Sequence, residues 1–286
     1  MSRRLVALVS DTHAGSTVGL LNPETVLWRE NEAGEEESWN PPLEPIQIWL
    51  WGHYAQDIAS TMELADGDDV ILVHNGDLTW GRKYPSKLVS TREADQIFIA
   101  LANLAPWGAH PNVRTIRLVH GTDSHAFGEA TSDALVCQAI RTRWPERNVA
   151  EVRHALLIVD GVGIDCAHHG PTAGGRQWLT GNEARYYAKS LMNDDAILGR
   201  TPPRVIVRSH YHTYVRETVR IHGARELVTD VIITPAYCGM TEYATQATRS
   251  GYLISCGLVV LEIVDGVLRE IHPFVRSVDL RREEVL

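Results

Sequence analysis

The sequence lacks the features that mark membrane-spanning, secreted or disulfide-linked proteins. It has four cysteines in 286 residues and no CxxC spacing, which argues against both a disulfide framework and a zinc ribbon. Its longest apolar runs have the length of strands, and the run near the N-terminus is too short for the core of a signal peptide. Because the sequence has no internal repeat and no linker, we expect one domain over residues 1–286. From its cysteines and its short apolar runs we expect a cytoplasmic location and no membrane partner.

Positive charge is also scarce. Lys and Arg number 27 against 36 Asp and Glu, so the net charge is −9 and a general affinity for nucleic acid is not indicated. Residues 14–44 are acidic and interrupted by Pro and Gly, which predicts a long loop inserted into the domain. Residues 200–225 instead hold six arginines against the single acidic residue Glu217, which indicates either a solvated face or local attraction to phosphate.

Strand and helix patterns alternate in the first half of the chain. Near-continuous apolar runs at Leu5–Ser10, Asp69–Asn75 and Val113–His120 predict buried strands, and residues 45–65 carry apolar side chains on one helical face. The second half is richer in hairpins, such as the one predicted around Asp160-Gly161. The pattern predicts an α/β fold in which two mixed β-sheets pack as a sandwich with flanking helices.

Five predicted strand ends in succession present aspartate or histidine. One such motif is weak evidence, because a strand-end Asp is often only a helix cap, but five in order are hard to obtain by chance. Carboxyl ends of strands gather at one edge of a sheet, and in extended backbone residues two apart point to the same side. Carboxylate and imidazole ligands without cysteine predict divalent ions such as Mn, Fe, Zn or Co. The motifs are Asp11-Thr12-His13, His74-Asn75-Gly76-Asp77, Gly121-Thr122-Asp123-Ser124-His125, His168-His169 and Ser209-His210-Tyr211-His212.

The order of these motifs resembles the calcineurin-like metallophosphoesterase family, whose pattern is D-x-H, G-D, G-N-H-[DE], H and G-H-x-H. The resemblance spans residues 11–212 and implies an α/β/β/α sandwich that binds two divalent metal ions. It implies that Asp11, His13 and His212 hold one metal and that Asp77 bridges the two ions. It also implies that the second metal is held by His168 (or its neighbour His169) and His210.

The chain departs from the family pattern at two places. Ser209 stands where the family has glycine, and the third motif has two extra residues between Gly121 and its histidine. Asp123 or Thr122 could supply the oxygen that the family takes from asparagine, and we favour Asp123 because a dication prefers a charged ligand. His125 would then be the imidazole that assists the leaving group.

The resemblance implies a dinuclear-metal-dependent phosphoesterase that cleaves phosphodiester bonds, including those of nucleic acid or nucleotides, with an activated water. The alternatives are a phosphomonoesterase acting on a small molecule or phosphoprotein, and an inactive scaffold on the same fold. Arg176, after Gly174-Gly175, could clamp a phosphate oxygen, although a surface role is as plausible. Four aromatic residues could stack on a base or simply pack: Trp80, Trp178, Tyr186 and Tyr187.

Overall fold

The computed structural model describes residues 2–127, 132–174, 177–223, 226–240, 253–281 and 283–284. The α-helices in this part of the chain are α1 (Pro45–Ala65), α2 (Glu93–Gly108), α3 (Ser132–Arg143) and α4 (Asn182–Ile197). The strands are β1 (Arg3–Val9), β2 (Leu27–Glu30), β3 (Glu36–Trp39), β4 (Asp69–His74), β5 (Val113–Val119), β6 (Asn148–Val152), β7 (Ala155–Val159), β8 (Val162–Cys166), β9 (Val205–Arg208), β10 (Val215–His222), β11 (Glu226–Ile233), β12 (Leu253–Val264) and β13 (Val267–Asp279).

The first sheet has the strand order β13-β12-β1-β4-β5-β6. Its strands β1, β4, β5 and β6 are parallel, and the hairpin β12–β13 adds two antiparallel strands beside β1. Because β1 is central, all residues from Leu5 to Val9 are buried, which explains why this strand reads as one apolar run.

The second sheet has the strand order β10-β11-β9-β8-β7. Strands β8, β9 and β11 are parallel, and an antiparallel partner lies at each edge. The predicted hairpin around Asp160-Gly161 is present as β7–β8, with both turn residues at positive φ (48° and 88°), as a tight two-residue turn requires.

The two sheets pack face to face and helices cover both outer faces. Side chains such as Leu8 and Val73 from the first sheet meet Ile164, Val207 and Ile232 from the second in one buried cluster. Helices α1, α2 and α3 pack on the outside of the first sheet, and α4 packs on the outside of the second. This confirms the predicted sandwich of two mixed sheets with flanking helices.

Some elements differ from the sequence prediction. Residues 14–44 are not an irregular loop throughout, because they contain the antiparallel hairpin β2–β3, in which Leu27 is buried. Strand β6 was not predicted, because its five residues mix polar and apolar side chains in no regular pattern. Within the described residues, no helix combines the length and apolar character needed to span a membrane.

Candidate metal centre

The carboxyl ends of β1 and β4 bring the first two motifs together. Pairing continues beyond the strands, because Asp11 N–H donates to Gly76 O (3.0 Å) and His13 N–H donates to Asp77 O (3.0 Å). Asp11, His13 and Asp77 all have positive φ (51°, 45° and 51°), so the expectation of extended backbone at this motif was wrong. Left-handed backbone at non-glycine residues is strained and persists only where surrounding contacts hold it, and here those contacts direct functional side chains.

Asp11, His13 and His212 form the first group of possible metal ligands. Asp11 Oδ1 lies 3.3 Å from His212 Nε2 and 3.9 Å from His13 Nε2. The two imidazole nitrogens are 3.4 Å apart. The structure therefore brings together the three side chains that the resemblance assigns to one metal.

Asp77 stands between this group and a second set of histidines. Its Oδ2 lies 3.1 Å from His168 Nε2, 3.9 Å from His210 Nδ1 and 4.0 Å from His13 Nε2. A carboxylate in this place can reach ions on either side. His168, His169 and His210 also have ring nitrogens close enough to share one ion.

His168 is oriented by the backbone of β4. Its Nδ1 donates to Asn75 O (2.8 Å), so Nε2 is the atom that faces the carboxylates. Gly76, at φ 97°, makes this contact possible, since a Cβ there would lie 2.2 Å from His168 Nδ1. His169 is exposed, and among the described residues it forms no ion pair with Asp11 or Asp77, so the geometry favours His168 over His169 as the ligand.

The electrostatics of the cluster keep its carboxylates ionised. Burial alone would raise the pKa of Asp77, but the charge of His168, whose Nε2 lies 3.1 Å away, outweighs it and holds that pKa well below its usual range. Burial opposes protonation of His168 as well, yet the charges of Asp77 and Asp11 raise its pKa to about 9. Burial, together with repulsion from His125, lowers the pKa of His13 well below normal, so this imidazole is neutral and able to ligate.

Unpartnered buried atoms show that the cluster fits a cation. Asp11 Oδ1 and His168 Nε2 are fully buried, yet neither has a hydrogen-bond partner of acceptable geometry among the described residues. Buried polar atoms are normally paired, and an unpaired carboxylate oxygen facing several imidazole nitrogens is the arrangement that a divalent ion completes. Asp11, His13 and His212 lie close enough together to hold a cation, and so do Asp11, Asp77 and His168.

The third motif contributes through Thr122 rather than through Asp123. Gly121 allows a close approach, because a Cβ there would lie 2.2 Å from Asp77 Oδ1. Thr122 N–H then donates to Asp77 Oδ1 (2.6 Å), and Thr122 Oγ1 lies 3.2 Å from Asp77 Oδ2 and 3.3 Å from His210 Nδ1. Asp123 is exposed and belongs to no group of possible metal ligands among the described residues. The structure thus does not bring Asp123 into the cluster, since it starts a short 3-10 helix that turns its side chain outward.

The structure also brings His125 into the cluster. Its Nδ1 donates to Trp80 O (2.7 Å), and its Nε2 lies 3.9 Å from Asp77 Oδ2. Trp80 is buried and its ring contacts the rings of both His13 and His125 (centroids 5.3 and 5.2 Å apart), so Trp80 packs behind the ligands instead of offering a stacking face.

The remaining predicted substrate contacts are placed differently. Arg176 lies outside the described residues. The hydroxyl of Tyr187 accepts a hydrogen bond from Nε of the buried Arg208 (3.0 Å). Tyr186 and Trp178 are 76% and 80% exposed. Each arginine of residues 200–225 that the structure describes forms an ion pair, which argues against local attraction to phosphate, and Arg208 is buried rather than part of a solvated face. These pairs are Arg200–Asp195, Arg204–Asp230, Arg208–Asp165, Arg216–Asp230 and Arg220–Glu226.

Fold and cluster together define the class of this protein: an α/β/β/α sandwich with a candidate metal centre at the carboxyl edge of its strands. No family model matches the chain, and no curated protein is significantly similar to it in sequence. Solved structures with a similar fold include a predicted phosphoesterase from Streptococcus pneumoniae TIGR4 (9% identity, TM-score 0.36), which aligns over 93% of this chain and 86% of its own.

Two further structures are similar. Vps29 from Entamoeba histolytica, complexed with Zn, aligns at 14% identity and TM-score 0.39 over 97% of this chain and 99% of its own. A 5'-nucleotidase precursor from Thermus thermophilus aligns at 13% identity and TM-score 0.38 over 97% of this chain, which spans only 54% of that longer protein. These scores are low, so the functional proposal rests on the geometry of the cluster.

Proposed function

We propose that this protein is a dinuclear-metal-dependent phosphoesterase that hydrolyses phosphodiester bonds. The observation that carries the proposal is the convergence of two buried, ionised carboxylates, Asp11 and Asp77, with imidazoles from four separate strand ends. Such a set holds cations and leaves an open edge of the sheet for an anionic substrate. Divalent ions bound there would neutralise phosphate charge and make a water molecule acidic enough to attack phosphorus.

The chain's own residues have distinct roles in this proposal. Asp77 would bridge the two ions, because its Oδ2 is within 4.0 Å of nitrogens from both groups. Thr122 Oγ1 would take the place that the family gives to asparagine. His125 would donate a proton to the leaving group from Nε2, since its Nδ1–H is already committed to Trp80 O.

A groove between α4 and β10 supports a substrate longer than a single phosphate. Strand β10 starts near the metal edge, because its first residue, Val215, pairs with Ile233, which in turn pairs with Arg208 just before Ser209. The groove has a volume of about 390 Å³. Arg185 and Arg220 each have an acidic neighbour, at 3.6 and 3.5 Å, which offsets part of the positive charge. The lining residues are Asn182, Arg185, Tyr186, Lys189, Thr218, Val219 and Arg220.

Such a groove fits a nucleotide or a single nucleic-acid strand, with Tyr186 as a stacking face. Replacing Lys189 and Tyr186 together by alanine should raise KM for single-stranded DNA about tenfold and leave the rate on bis-p-nitrophenyl phosphate unchanged. Equal effects on both substrates would remove the groove from the proposal.

The proposed activity is tested by one set of assays on one preparation. The protein is stripped of metal by a chelator, supplied with Mn²⁺, and assayed with bis-p-nitrophenyl phosphate, p-nitrophenyl phosphate and single-stranded DNA. We expect metal-dependent hydrolysis of the diester and the DNA. Preference for p-nitrophenyl phosphate would favour the phosphomonoesterase alternative, and metal binding without any hydrolysis would favour the scaffold.

A further inference from the structure

A continuous chain of buried hydrogen bonds links the two sheets beneath the metal centre. It runs from Asn75 Nδ2 to Ser209 Oγ (2.6 Å), to Thr234 Oγ1 (2.7 Å), to Ser10 Oγ (2.7 Å) and to Asp11 Oδ2 (2.6 Å). All five residues have 0% exposure. They follow the ends of four different strands, β4, β9, β11 and β1, so the chain of hydrogen bonds depends on both sheets.

The chemistry of the end groups sets the direction of these hydrogen bonds. The amide nitrogen of Asn75 can only donate, the ionised carboxylate of Asp11 can only accept, and each hydroxyl between them has one proton. Hence Asn75 donates to Ser209, Ser209 to Thr234, Thr234 to Ser10, and Ser10 to Asp11. Competing acceptors are farther away, at 3.1 Å for Ser10 Oγ to Pro235 O and 3.3 Å for Thr234 Oγ1 to Arg208 O.

This direction leaves one oxygen of Asp11 available for a cation. Oδ2 receives the hydrogen bond from Ser10, whereas Oδ1 has no hydrogen-bond partner among the described residues and faces His212 Nε2 at 3.3 Å. The other end of the chain also acts on the cluster. Asn75 O accepts the bond from His168 Nδ1, and Asn75 Nδ2 donates a second bond to Ala167 O (3.0 Å), next to His168.

Ser209 is the link between the sheets, and it is the residue at which this chain departs from the glycine of the family motif. Glycine there has no hydroxyl, so Asn75 and Thr234 would not be connected. We propose that Ser209 is a positioning residue whose hydroxyl, through Thr234 and Ser10, orients the Asp11 carboxylate and raises the affinity of the site for a divalent cation. The inference rests on the proposed metal centre, but not on the reaction.

The test measures Mn²⁺ binding to metal-free protein by calorimetry, separately from activity. Residues outside the first ligand shell typically change metal affinity by about 10–100-fold. We expect Ser209→Ala and Thr234→Val, the second of which keeps the side-chain shape, each to raise the Kd for Mn²⁺ about tenfold. Thr234→Ser, which retains the hydroxyl, should stay within about twofold of the wild type.

Two further variants distinguish an effect on the orientation of Asp11 from a general loss of stability. Thr61→Val removes another buried hydroxyl, which bonds to Asp57 O within α1, and should lower stability without changing the Kd. The double variant Ser209→Ala/Thr234→Val should lose no more affinity than the larger single loss, because both break one chain.

The inference would be overturned by an unchanged Kd for Mn²⁺ in Thr234→Val, or by an additive loss of affinity of about a hundredfold in the double variant. It would also be overturned if Thr61→Val lost as much affinity for Mn²⁺ as Ser209→Ala. If Ser209→Ala does not fold, Thr234→Val and Thr234→Ser decide the matter. Wild-type protein that binds no Mn²⁺ would overturn both this inference and the metal centre. Binding without hydrolysis would overturn the proposed reaction alone.

Discussion

Two buried carboxylates of this protein are compensated in opposite ways. Asp57, on α1, is 1% exposed and receives two hydrogen bonds from Arg276 (2.8 Å each) and one from the Tyr237 hydroxyl (2.7 Å). Asp11 is 0% exposed, but its Oδ1 has no hydrogen-bond partner in the part of the chain that the structure describes and faces imidazoles instead of a permanent cation. Asp57 belongs to α1, which packs on the outer face of the first sheet, and Arg276 lies on β13, the edge strand of that sheet.

The difference shows which of the two charges the protein balances by itself. Burying a carboxylate is costly unless a cation and hydrogen bonds accompany it. At Asp57 the fold supplies both, so this cluster serves stability. At Asp11 and Asp77 the fold supplies only histidines, whose protons a metal ion can displace. Substitutions on either side of this contrast should therefore have different consequences.

The largest effect is expected for Asp77→Asn. Loss of the carboxylate between the two ligand groups should lower kcat/KM on bis-p-nitrophenyl phosphate by about 10³-fold, comparable to losing a key electrostatic group in other enzymes. Circular dichroism and the metal content of the purified variant are measured alongside, and we expect a folded protein with less bound metal. Full turnover by this variant would refute the bridging role of Asp77.

Arg276→Ala should lower the free energy of unfolding by about 3 kcal/mol, because Asp57 would remain buried without its cation. Urea unfolding measures the change. Arg29→Ala is the matched control, since Arg29 pairs with Glu37 on the exposed hairpin β2–β3 and should contribute about 0–1 kcal/mol. A similar decrease in the free energy of unfolding in the two variants would mean that the buried Asp57–Arg276 pair stabilises the fold no more than an exposed ion pair.

Divalent cations should stabilise the metal edge and leave the Asp57 cluster unaffected. Mn²⁺ at a hundredfold excess over its Kd should raise the free energy of unfolding by about 2.7 kcal/mol, and a chelator should reverse the change. Thermal unfolding is followed with and without Mn²⁺ in the wild type, Arg276→Ala and Asp77→Asn. Arg276→Ala should keep the increase in Tm caused by Mn²⁺, whereas Asp77→Asn should lose most of it. The reverse pattern would show that the cation acts at the Asp57 cluster and not at Asp11 and Asp77.

Tyr237→Phe should have the smallest effect, about 1–2 kcal/mol, because it removes one hydrogen-bond donor from a buried carboxylate that keeps Arg276. Tyr186→Phe, at an exposed position, should change stability by less than about 0.5 kcal/mol. Urea unfolding compares the two. Equal effects would show that the Tyr237 hydroxyl contributes nothing to the compensation of Asp57.

Most of the strands and the candidate ligands were predictable because their signals are local. Apolar runs predicted β1, β4 and β5 within a residue or two, and the helix period predicted α1 over its full length. Asp11, His13, Asp77 and His125 could be named because polar residues directly after buried strands are visible in the sequence itself.

The sequence does not show whether Thr122 or Asp123 faces the cluster. Charge favours the aspartate as a ligand, but the side chain that faces Asp77 depends on how closely Gly121 packs against it. The same holds for the backbone at Asp11 and His13, whose positive φ values follow from pairing with residues about 65 positions away.

Most strands and helices, and the polar residues at the strand ends, could be predicted from sequence because these signals arise from near neighbours along the chain. Which of these residues meet, and how their charges are balanced, depends on contacts between residues far apart in the chain. Asp57 and Arg276 are 219 positions apart, and Ser10 and Thr234 are 224 apart. The first pair forms when α1 packs on the first sheet and the second when the two sheets pack face to face, and the free energy that selects these arrangements is distributed over the buried core.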